Sequence, residues 1–465
     1  MLASCGGSSH GANPDTGVAS DAAPPLDACV GLQCQVTNCE AMGMSPTSIS
    51  GTIFAPNGTL PLYEVNVYVP NGDPGAFTAG VQCSKCSDGL PGDPIAQTTS
   101  TESGSFELDD IPDGDNIPVV ITIGKWRRQL VIPHVDKCTP TPLSAADTTL
   151  PKSRADLSPL TKSVDLPKIA LSTGNADALE CLLRKLGIAD QEIATVGEDG
   201  QIDLYADGGA GNGEGAASFQ AGFAGGSGAF ADSSTLWGSA GDPGDLASYD
   251  IVMLSCEGAQ HAESKPQEAM DHVKAYADAG GRVFMSHWHN VWLEGSTQNT
   301  KDGTQTPAAW PALATFDDKH GAQSLPDGTL DVIDETNNPK GSAFAQWMLD
   351  PAVQGSTTID QIALGDGTGK QTCTTVDDSH VERWVNLDPA GSDAPQMIQF
   401  DTPTEQDPSA RCGKVVFSDM HVSGDSGSPQ GGTYPTKCST GDLTPQEKAL
   451  AFMFFDISSC VGVIQ

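Results

Sequence analysis

Three apolar stretches in the second half of the chain each run for several residues without a charge and then end in polar side chains. They are "YDIVMLSCEG" (249–258), "GGRVFMSHWHN" (280–290) and "GKVVFSDMHV" (413–422). A strand that is apolar on both faces must be covered on both sides, which is typical of a parallel sheet between helices. Because helical segments separate the stretches, we predict a doubly wound, flavodoxin-like α/β domain over residues 169–465. Within this domain, the stretch from about residue 300 to about residue 380 is predicted to be an irregular insertion.

The first part of the chain has a different pattern of polar and apolar residues. Polar and apolar residues alternate over much of residues 46–135, and Asn57-Gly58, Asn71-Gly72 and Asp113-Gly114 interrupt the alternation. Such dipeptides are typical of tight turns between antiparallel strands. We therefore predict an antiparallel β-sandwich within residues 29–138, and a linker rich in Pro, Ser, Thr and Asp over residues 139–168.

This predicted sandwich resembles a known module. The segments "SGTI" (50–53), "VNV" (65–67) and "GSFEL" (104–108), followed by "PDG" (112–114), resemble the carboxypeptidase-regulatory-like domain over about 90 residues. The resemblance implies a prealbumin-like sandwich of seven strands that is not itself catalytic. The sequence contains no His-x-x-Glu zinc motif of the peptidases after which the domain is named.

The beginning of the sequence predicts export and anchoring. Leu2-Ala3-Ser4-Cys5 resembles a lipobox, in which a cysteine is acylated, and we expect the rest of an export signal to precede it. Residues 6–28 are rich in Gly, Ser, Pro, Ala and Asp and cannot form a core. Residues 1–28 are therefore predicted to be a lipobox and a disordered tether, lipidated at Cys5, on an outer-membrane or cell-surface lipoprotein of a Gram-negative bacterium.

Charge narrows the choice of partners. The chain has 23 Lys and Arg against 60 Asp and Glu, a formal net charge of −37. Such a surface repels nucleic acids and anionic membranes, so we expect no nucleic-acid partner and no membrane contact except through Cys5.

The cysteines predict disulfide bonds. Without Cys5, twelve of the 13 cysteines remain, and an even number in an exported chain favours disulfides. Six of the twelve lie before residue 139 and six after residue 180, which predicts pairing within each part. Cys83 and Cys86 form a CxxC pair that we assign to structural disulfides, because no second CxxC accompanies it as in a zinc site.

The second part also resembles a known fold. The three apolar stretches are similar, over about 200 of the last 297 residues, to the class I glutamine-amidotransferase-like fold and its trehalose-utilisation (ThuA-like) branch. Amidotransferases carry a cysteine nucleophile on the turn after the fourth strand, where this chain has Ser286, His287, Trp288 and His289. Cys256 instead ends the preceding strand, so we do not expect glutamine hydrolysis.

Candidate site residues gather where the predicted strands end. Ligands of open parallel sheets bind beyond the carboxyl ends of the strands. The residues predicted there to contact a ligand are Cys256, Ser286, His287, Trp288, His289, Asp419 and His421. Residues two apart on a strand share a face. His287, His289, Asp419 and His421 are therefore candidate ligands of a zinc or iron ion, and Glu257 is the candidate general base. A metal-free ligand site and purely structural histidines are the alternatives.

A second motif suggests a different enzyme. "GDSGSP" (424–429) resembles the segment around the nucleophile of chymotrypsin-like proteases. Those enzymes need His, Asp and Ser in that order on two β-barrels, whereas this part of the chain predicts α/β structure. We therefore interpret Ser426 as a loop residue and expect no serine protease.

Three functions are compatible with these patterns. We favour a non-catalytic binding protein for a carbohydrate or another envelope ligand, with Trp288 and Trp292 available to stack on a sugar and no cofactor. The second hypothesis is a metal-dependent hydrolase that uses the four candidate ligands. The third is a structural envelope protein without a small-molecule site.

Overall fold

The computed structural model describes residues 29–206, 215–296, 307–317, 325–326, 328–365, 369–388, 394–422, 432–436, 438 and 441–462. The chain has a mixed α/β fold, with many strands in several sheets and few helices.

Two sheets form the first part of the molecule. One has three strands in the order β4-β1-β7, and the other is antiparallel with five strands in the order β3-β2-β5-β6-β8. Buried side chains of both sheets, such as Ile49 and Ile121, belong to one core. The strands are β1 (Ser48–Thr52), β2 (Asn66–Pro70), β3 (Pro94–Thr99), β4 (Ser105–Leu108), β5 (Gly114–Ile123), β6 (Trp126–Val135), β7 (Pro140–Pro142) and β8 (Thr161–Asp165).

Residues 139–168 differ from the expected linker, because they contribute β7, a short helix α1 (Ala145–Thr148) and β8 to these sheets. Both strands lie at sheet edges, where backbone pairing on one side is sufficient. Buried Arg127 and Arg128 pair at 2.8 and 2.9 Å with Asp165 and Asp156 of this segment. Polar residues that resemble a linker in the sequence thus hold the segment against β6.

An eleven-stranded sheet forms the centre of the second part. Its order is β10-β11-β9-β14-β15-β22-β21-β20-β17-β18, and β13 pairs with β11. The strands from β10 to β22 in that order are parallel, and β21, β20, β17 and β18 continue antiparallel. Strands β20 and β21, which follow one another along the chain, pair antiparallel. The strands are β9 (Ile169–Ser172), β10 (Ile193–Ala194), β11 (Ile202–Ala206), β12 (Ser218–Phe219), β13 (Ala231–Asp232), β14 (Ile251–Leu254), β15 (Arg282–Ser286), β16 (Ala314–Phe316), β17 (Leu330–Ile333), β18 (Gln361–Ala363), β19 (Cys373–Val376), β20 (Glu382–Asp388), β21 (Pro395–Thr402), β22 (Gly413–Ser418) and β23 (Thr433–Tyr434).

Both faces of the parallel strands are buried. On β14, Met253 belongs to one core cluster and Val252 to another, and the same alternation holds for Phe284 and Val283 on β15. Helices contribute to both clusters, as the continuous apolar stretches predict. The helices of this part are α2 (Leu179–Lys185), α3 (Ser234–Trp237), α4 (Gln267–Asp278), α5 (Val291–Glu294), α6 (Gly341–Leu349) and α7 (Pro445–Ser458).

Disulfides join the two parts. The pairs are Cys29–Cys34, Cys39–Cys138, Cys83–Cys412, Cys86–Cys460 and Cys181–Cys438. Structural disulfides were predicted correctly, including both cysteines of the CxxC pair. The expectation of pairing within each part was wrong, because the CxxC segment packs beside the start of β22 and the end of α7. Cys256 and Cys373 are buried and free.

The five disulfides among the described residues indicate that the chain folds in an oxidising, exported environment. Among the residues that the structure describes, no helix has the length and apolar composition needed to cross a bilayer. Cys5 and the predicted tether lie outside the described residues.

Candidate functional site

The site lies at the carboxyl ends of four neighbouring parallel strands, β9, β14, β15 and β22. Taken in chain order, the connections run from β9 outward in one direction to β11 and in the other direction to β14 and β15. Open α/β sheets bind ligands in the crevice at such a reversal. Asp177 follows β9 and Cys256 follows β14, so both residues flank this position.

Cys256, His287 and His421 converge there and are called the Cys–His cluster below. The Sγ of Cys256 lies 3.4 Å from Nδ1 of His287, and the centroids of the two imidazole rings are 5.1 Å apart. One ligand atom from each residue lies within 4.8 Å of the others. The three residues are 0%, 1% and 3% exposed. Ligands of a tetrahedral zinc ion are about 3.5 Å apart, so small side-chain shifts would bring these atoms around one ion.

His287 has an unusual backbone conformation. It follows β15 directly with a φ of +34°, and a 3₁₀ helix over His287–Asn290 begins at this residue. A positive φ costs a non-glycine residue about 1–3 kcal/mol, and such strain concentrates at functional sites. The turn directs the His287 imidazole toward Cys256, so the strain accompanies the geometry of the cluster.

Burial disfavours the charged forms of Cys256 and His421. It raises the pKa of the Cys256 thiol, although backbone N–H groups of Trp288 and Gly258 donate to Sγ and act in the opposite direction. Burial also lowers the pKa of His421. Nε2 of His421 has no hydrogen-bond partner among the described residues. A neutral imidazole with an available nitrogen is the form that binds a metal ion, and a metal ion in turn stabilises a thiolate.

Asp177 connects the two imidazole-bearing strand ends. Its Oδ2 accepts a hydrogen bond from Ser286 Oγ at 2.6 Å, and its Oδ1 accepts one from the backbone N–H of Val422 at 2.8 Å. Ser286 immediately precedes His287, and Val422 immediately follows His421. This 3%-exposed carboxylate thus fixes the backbone beside both histidines. Asp177 shortly precedes α2 in the sequence, but that helix begins after Ala178 without a side-chain cap.

His289, one of the predicted metal ligands, is separated from the cluster by its own hydrogen bonds. Nε2 donates to the carbonyl of Ser255 at 2.9 Å, and Nδ1 accepts from Trp292 Nε1 at 3.0 Å. Burial lowers its pKa to about 4. Both ring nitrogens are therefore occupied, and the structure does not bring His289 together with the other two histidines.

Glu257, the candidate general base, lies in a buried ion pair. Its Oε2 is 2.7 Å from Lys265 Nζ, and both side chains are at most 1% exposed. Its Oε1 lies 3.6 Å from His289 Nε2. In the arrangement observed, the Glu257 carboxylate is therefore paired with Lys265 and lies near His289.

Asp419 and Ser286 have structural partners. Asp419 accepts hydrogen bonds from the backbone N–H groups of Thr372 and Cys373 at 2.8 and 3.0 Å, and from Thr372 Oγ1 at 2.6 Å. Burial raises the pKa of Asp419 to about 6. Ser286 is bound to Asp177, as described above. Both residues lie at the strand ends, as expected, but their side chains organise the surroundings of the cluster.

The remaining site predictions concern two indoles and one serine. Trp292 is fully buried and Trp288 is 7% exposed, so neither offers an open ring face to a sugar in this arrangement. Ser426 lies outside the described residues.

No protein-family model, curated protein or solved structure matches this chain. The description of the site therefore depends on its own geometry.

Proposed function

We propose that this chain is an exported metal-dependent hydrolase whose single metal ion is bound by Cys256, His287 and His421. The observation that carries the proposal is the convergence of one thiol and two imidazoles within 4.8 Å at the carboxyl ends of adjacent strands. This differs from the ligand set expected from the sequence, because Cys256 replaces His289 and Asp419.

The chemistry of the ligands favours zinc. Zinc binds Cys and His side chains, and catalytic zinc sites use three protein ligands with the fourth position open to water or substrate. Zinc bound in this way lowers the pKa of a water molecule to about 7, which supplies a nucleophile for ester or amide hydrolysis. Cys256 is also free in a chain with five disulfides, consistent with a function for its thiol other than cross-linking.

The proposal includes the finer fold assignment. The three- and five-stranded sheets would be a carboxypeptidase-regulatory-like sandwich, and the large sheet a divergent ThuA-like domain. Counting only β9, β11, β14, β15 and β22, the spatial order is second, first, third, fourth, fifth, which is the order of flavodoxin-like folds. This order supports the assignment of residues 169–465.

We further propose that the hydrolase is held at the outer membrane or cell surface through lipidated Cys5. The disulfides are consistent with export, and the net charge of −37 suits a protein held away from an anionic membrane by a tether. The anchored chain would act on small molecules and have no nucleic-acid partner.

Carbohydrate binding at the same strand ends is the weaker proposal. It needs exposed aromatic faces, and the buried Trp288 and Trp292 do not provide them.

The metal content of the purified full chain tests the proposal. We expect about one equivalent of zinc by mass spectrometry of the metal, and loss of that zinc in His287→Ala and His421→Ala. His380→Ala is the matched control, because His380 is partly exposed and pairs with Asp377 at 2.9 Å. We also expect a zinc-loaded sample to cleave a model ester, and metal removal by a chelator to abolish the cleavage.

Two results would count against the proposal in different ways. A chain that holds no stoichiometric metal, or holds it equally well without His287, has no metal centre at this position. A chain that binds one zinc ion through these residues but cleaves no ester, amide or glycoside is a metal-binding protein and not a hydrolase.

A further inference from the structure

The five-stranded sheet of the first part has one face in the core and one polar face. Val67 and Ile121 belong to the core, and side chains alternate between the two faces along a strand. The residues that are adjacent across the strands on the other face are Asn66 and Tyr68 of β2, Gln97 of β3, Thr122 of β5 and Arg127 of β6. These five residues are called the polar face below.

A loop covers the polar face. Residues 77–91 lie between β2 and β3 and are attached to the second part by the Cys83–Cys412 and Cys86–Cys460 disulfides. A cavity of about 170 Å³ remains between this loop and the sheet, and all five residues of the polar face line it. Pockets for drug-sized ligands have about 300–1,000 Å³, so this cavity suits a smaller molecule. Gln97 is exposed, so such a molecule reaches the cavity from solvent beside the edge strand β3.

Tyr68 is the buried member of the polar face that most needs a ligand. Its side chain is 0% exposed, and its hydroxyl has no hydrogen-bond partner among the described residues. Burial raises the pKa of this hydroxyl to about 12, so it is neutral and can both donate and accept a hydrogen bond. A buried hydroxyl without a partner destabilises the folded chain, and a ligand hydroxyl in the cavity would supply that partner.

The charged groups that line the cavity already have partners. Arg127 Nε donates to the carboxylate of Asp165 at 2.8 Å, and Glu64 pairs with Lys340 at 2.5 Å. Lys85 Nζ donates to a backbone carbonyl at 2.9 Å. A charged ligand would have to compete with these contacts, whereas a neutral ligand would leave them in place.

The neutral amides of the polar face have no such partners. The side chains of Asn66 and Gln97 form no hydrogen bond with another residue of the described part of the chain. Together with the Tyr68 hydroxyl, they offer donors and acceptors on neighbouring strands. This arrangement matches a small ligand that carries several hydroxyl groups and no charge.

We propose that the cavity over the polar face binds a neutral saccharide, either a monosaccharide or the terminal residue of a longer chain, through Tyr68, Asn66 and Gln97. This site is separate from the Cys–His cluster. Ser459 also lines the cavity and accepts a hydrogen bond from Lys414 at the start of β22, whereas the cluster lies beyond the other end of that strand. The inference therefore does not depend on the proposed hydrolase.

Calorimetric titration of the full chain with glucose, galactose, mannose and N-acetylglucosamine tests the inference. We expect saturable binding of at least one of these sugars, with equal affinity before and after metal removal by a chelator. Tyr68→Phe and Gln97→Ala should each lower that affinity about two- to tenfold, because each removes one hydrogen-bonding group.

Tyr276→Phe is the matched control, because the Tyr276 hydroxyl donates to the carbonyl of Tyr249 at 3.2 Å, away from the cavity. This variant should bind sugar as the wild type does but unfold at a lower urea concentration. Tyr68→Phe should show no such fall in the unfolding midpoint, because it removes a hydroxyl without a partner, so its weaker binding would not be due to unfolding.

A wild type that binds none of the four sugars would overturn the inference, and so would an affinity that is unchanged in Tyr68→Phe and Gln97→Ala. Glucuronate provides a charged probe of similar size. Tighter binding of glucuronate than of glucose would contradict the neutral class of ligand.

Discussion

The amino ends and the carboxyl ends of strands β15 and β22 differ in the buried polar side chains that lie there. At their amino ends lie Arg282 and Lys414, which are 5% and 4% exposed. Just beyond their carboxyl ends lie His287 and His421. The same pair of neighbouring strands thus presents two cations at one edge of the sheet and two imidazoles at the other.

At the amino edge the cations are bound. Arg282 donates to the carbonyls of Gly280 and Cys412 at 2.8 and 2.7 Å. Lys414 lies 3.5 Å from the carboxylate of Asp456, which also pairs with Lys340 at 2.6 Å. Burial acts to raise the pKa of Asp456, but the two lysines outweigh it and hold the pKa at about 2. Paired in this way, buried charges stabilise the junction with α7.

At the carboxyl edge several buried polar atoms have no hydrogen-bond partner among the described residues. They are Ser255 Oγ, His421 Nε2, both side-chain polar atoms of Gln396 and both carboxylate oxygens of Asp331. Each such atom costs about 1–3 kcal/mol of folding free energy. The comparison teaches that the amino edge pairs its buried cations, although Asp401 Oδ1 there also has no hydrogen-bond partner among the described residues. The carboxyl edge retains more such polar atoms, which a ligand can use.

The largest expected effect is on the free energy of unfolding, when the ion pairs at the amino edge are removed. Asp456→Ala should lower the free energy of unfolding by about 3–5 kcal/mol, because it leaves the buried Lys414 without its carboxylate and removes one of the two carboxylate partners of the partly exposed Lys340. Denaturation by urea measures the change. In the control, Asp190→Ala should cost about 0.2–1 kcal/mol, since the Arg184–Asp190 pair is partly exposed. Similar losses in both variants would contradict the role given to the buried cluster of charges.

The next largest effect is on zinc affinity at the carboxyl edge. Asp177→Asn should weaken zinc binding by about 10–100-fold, because it disturbs the hydrogen bonds that orient the residues beside His287 and His421. Competition with a chromogenic chelator measures the affinity. An affinity equal to that of the wild type would show that the two strand ends are held without Asp177.

A smaller effect concerns the pH dependence of stability. Burial, with a further contribution from Asp419, raises the pKa of Asp331 well above its ordinary value. The folded state then binds a proton that the unfolded state has released, so this residue makes stability fall as the pH rises from the unfolded toward the folded pKa. Each unit of pKa difference corresponds to about 1.4 kcal/mol.

Asp331→Asn should therefore be more stable than the wild type at neutral pH, and the difference should shrink as the pH is lowered toward 4. Thermal unfolding over that pH range provides the measurement. A difference in stability that is constant with pH would mean that Asp331 is not protonated in the folded chain.

The sequence predicts the meeting of His287 and His421 because carboxyl ends of parallel strands lie at one edge of a sheet. The prediction that His289 shares a face with His287, and Asp419 with His421, assumes that each pair lies within a strand, because residues two apart share a face only there. β15 ends at Ser286 and β22 ends at Ser418, so the chain has already turned when it reaches either residue.

Other features depend on contacts between distant parts of the chain. The parity of the cysteines predicts disulfides but not that Cys83 and Cys86 reach Cys412 and Cys460, more than 300 residues away. Asp177 shortly precedes α2 in the sequence, and only the folded sheet brings it to Ser286 and Val422. Local patterns therefore predict strands and their edges, whereas the partners of polar side chains need the assembled structure.

X-ray absorption at the zinc edge tests the central claim most directly. The zinc-loaded wild type should show one sulfur ligand at about 2.3 Å and two imidazole nitrogens at about 2.0–2.1 Å, and Cys256→Ser should lose the sulfur ligand. A spectrum with only nitrogen and oxygen ligands in the wild type, or a sulfur ligand that persists without Cys256, would contradict the account.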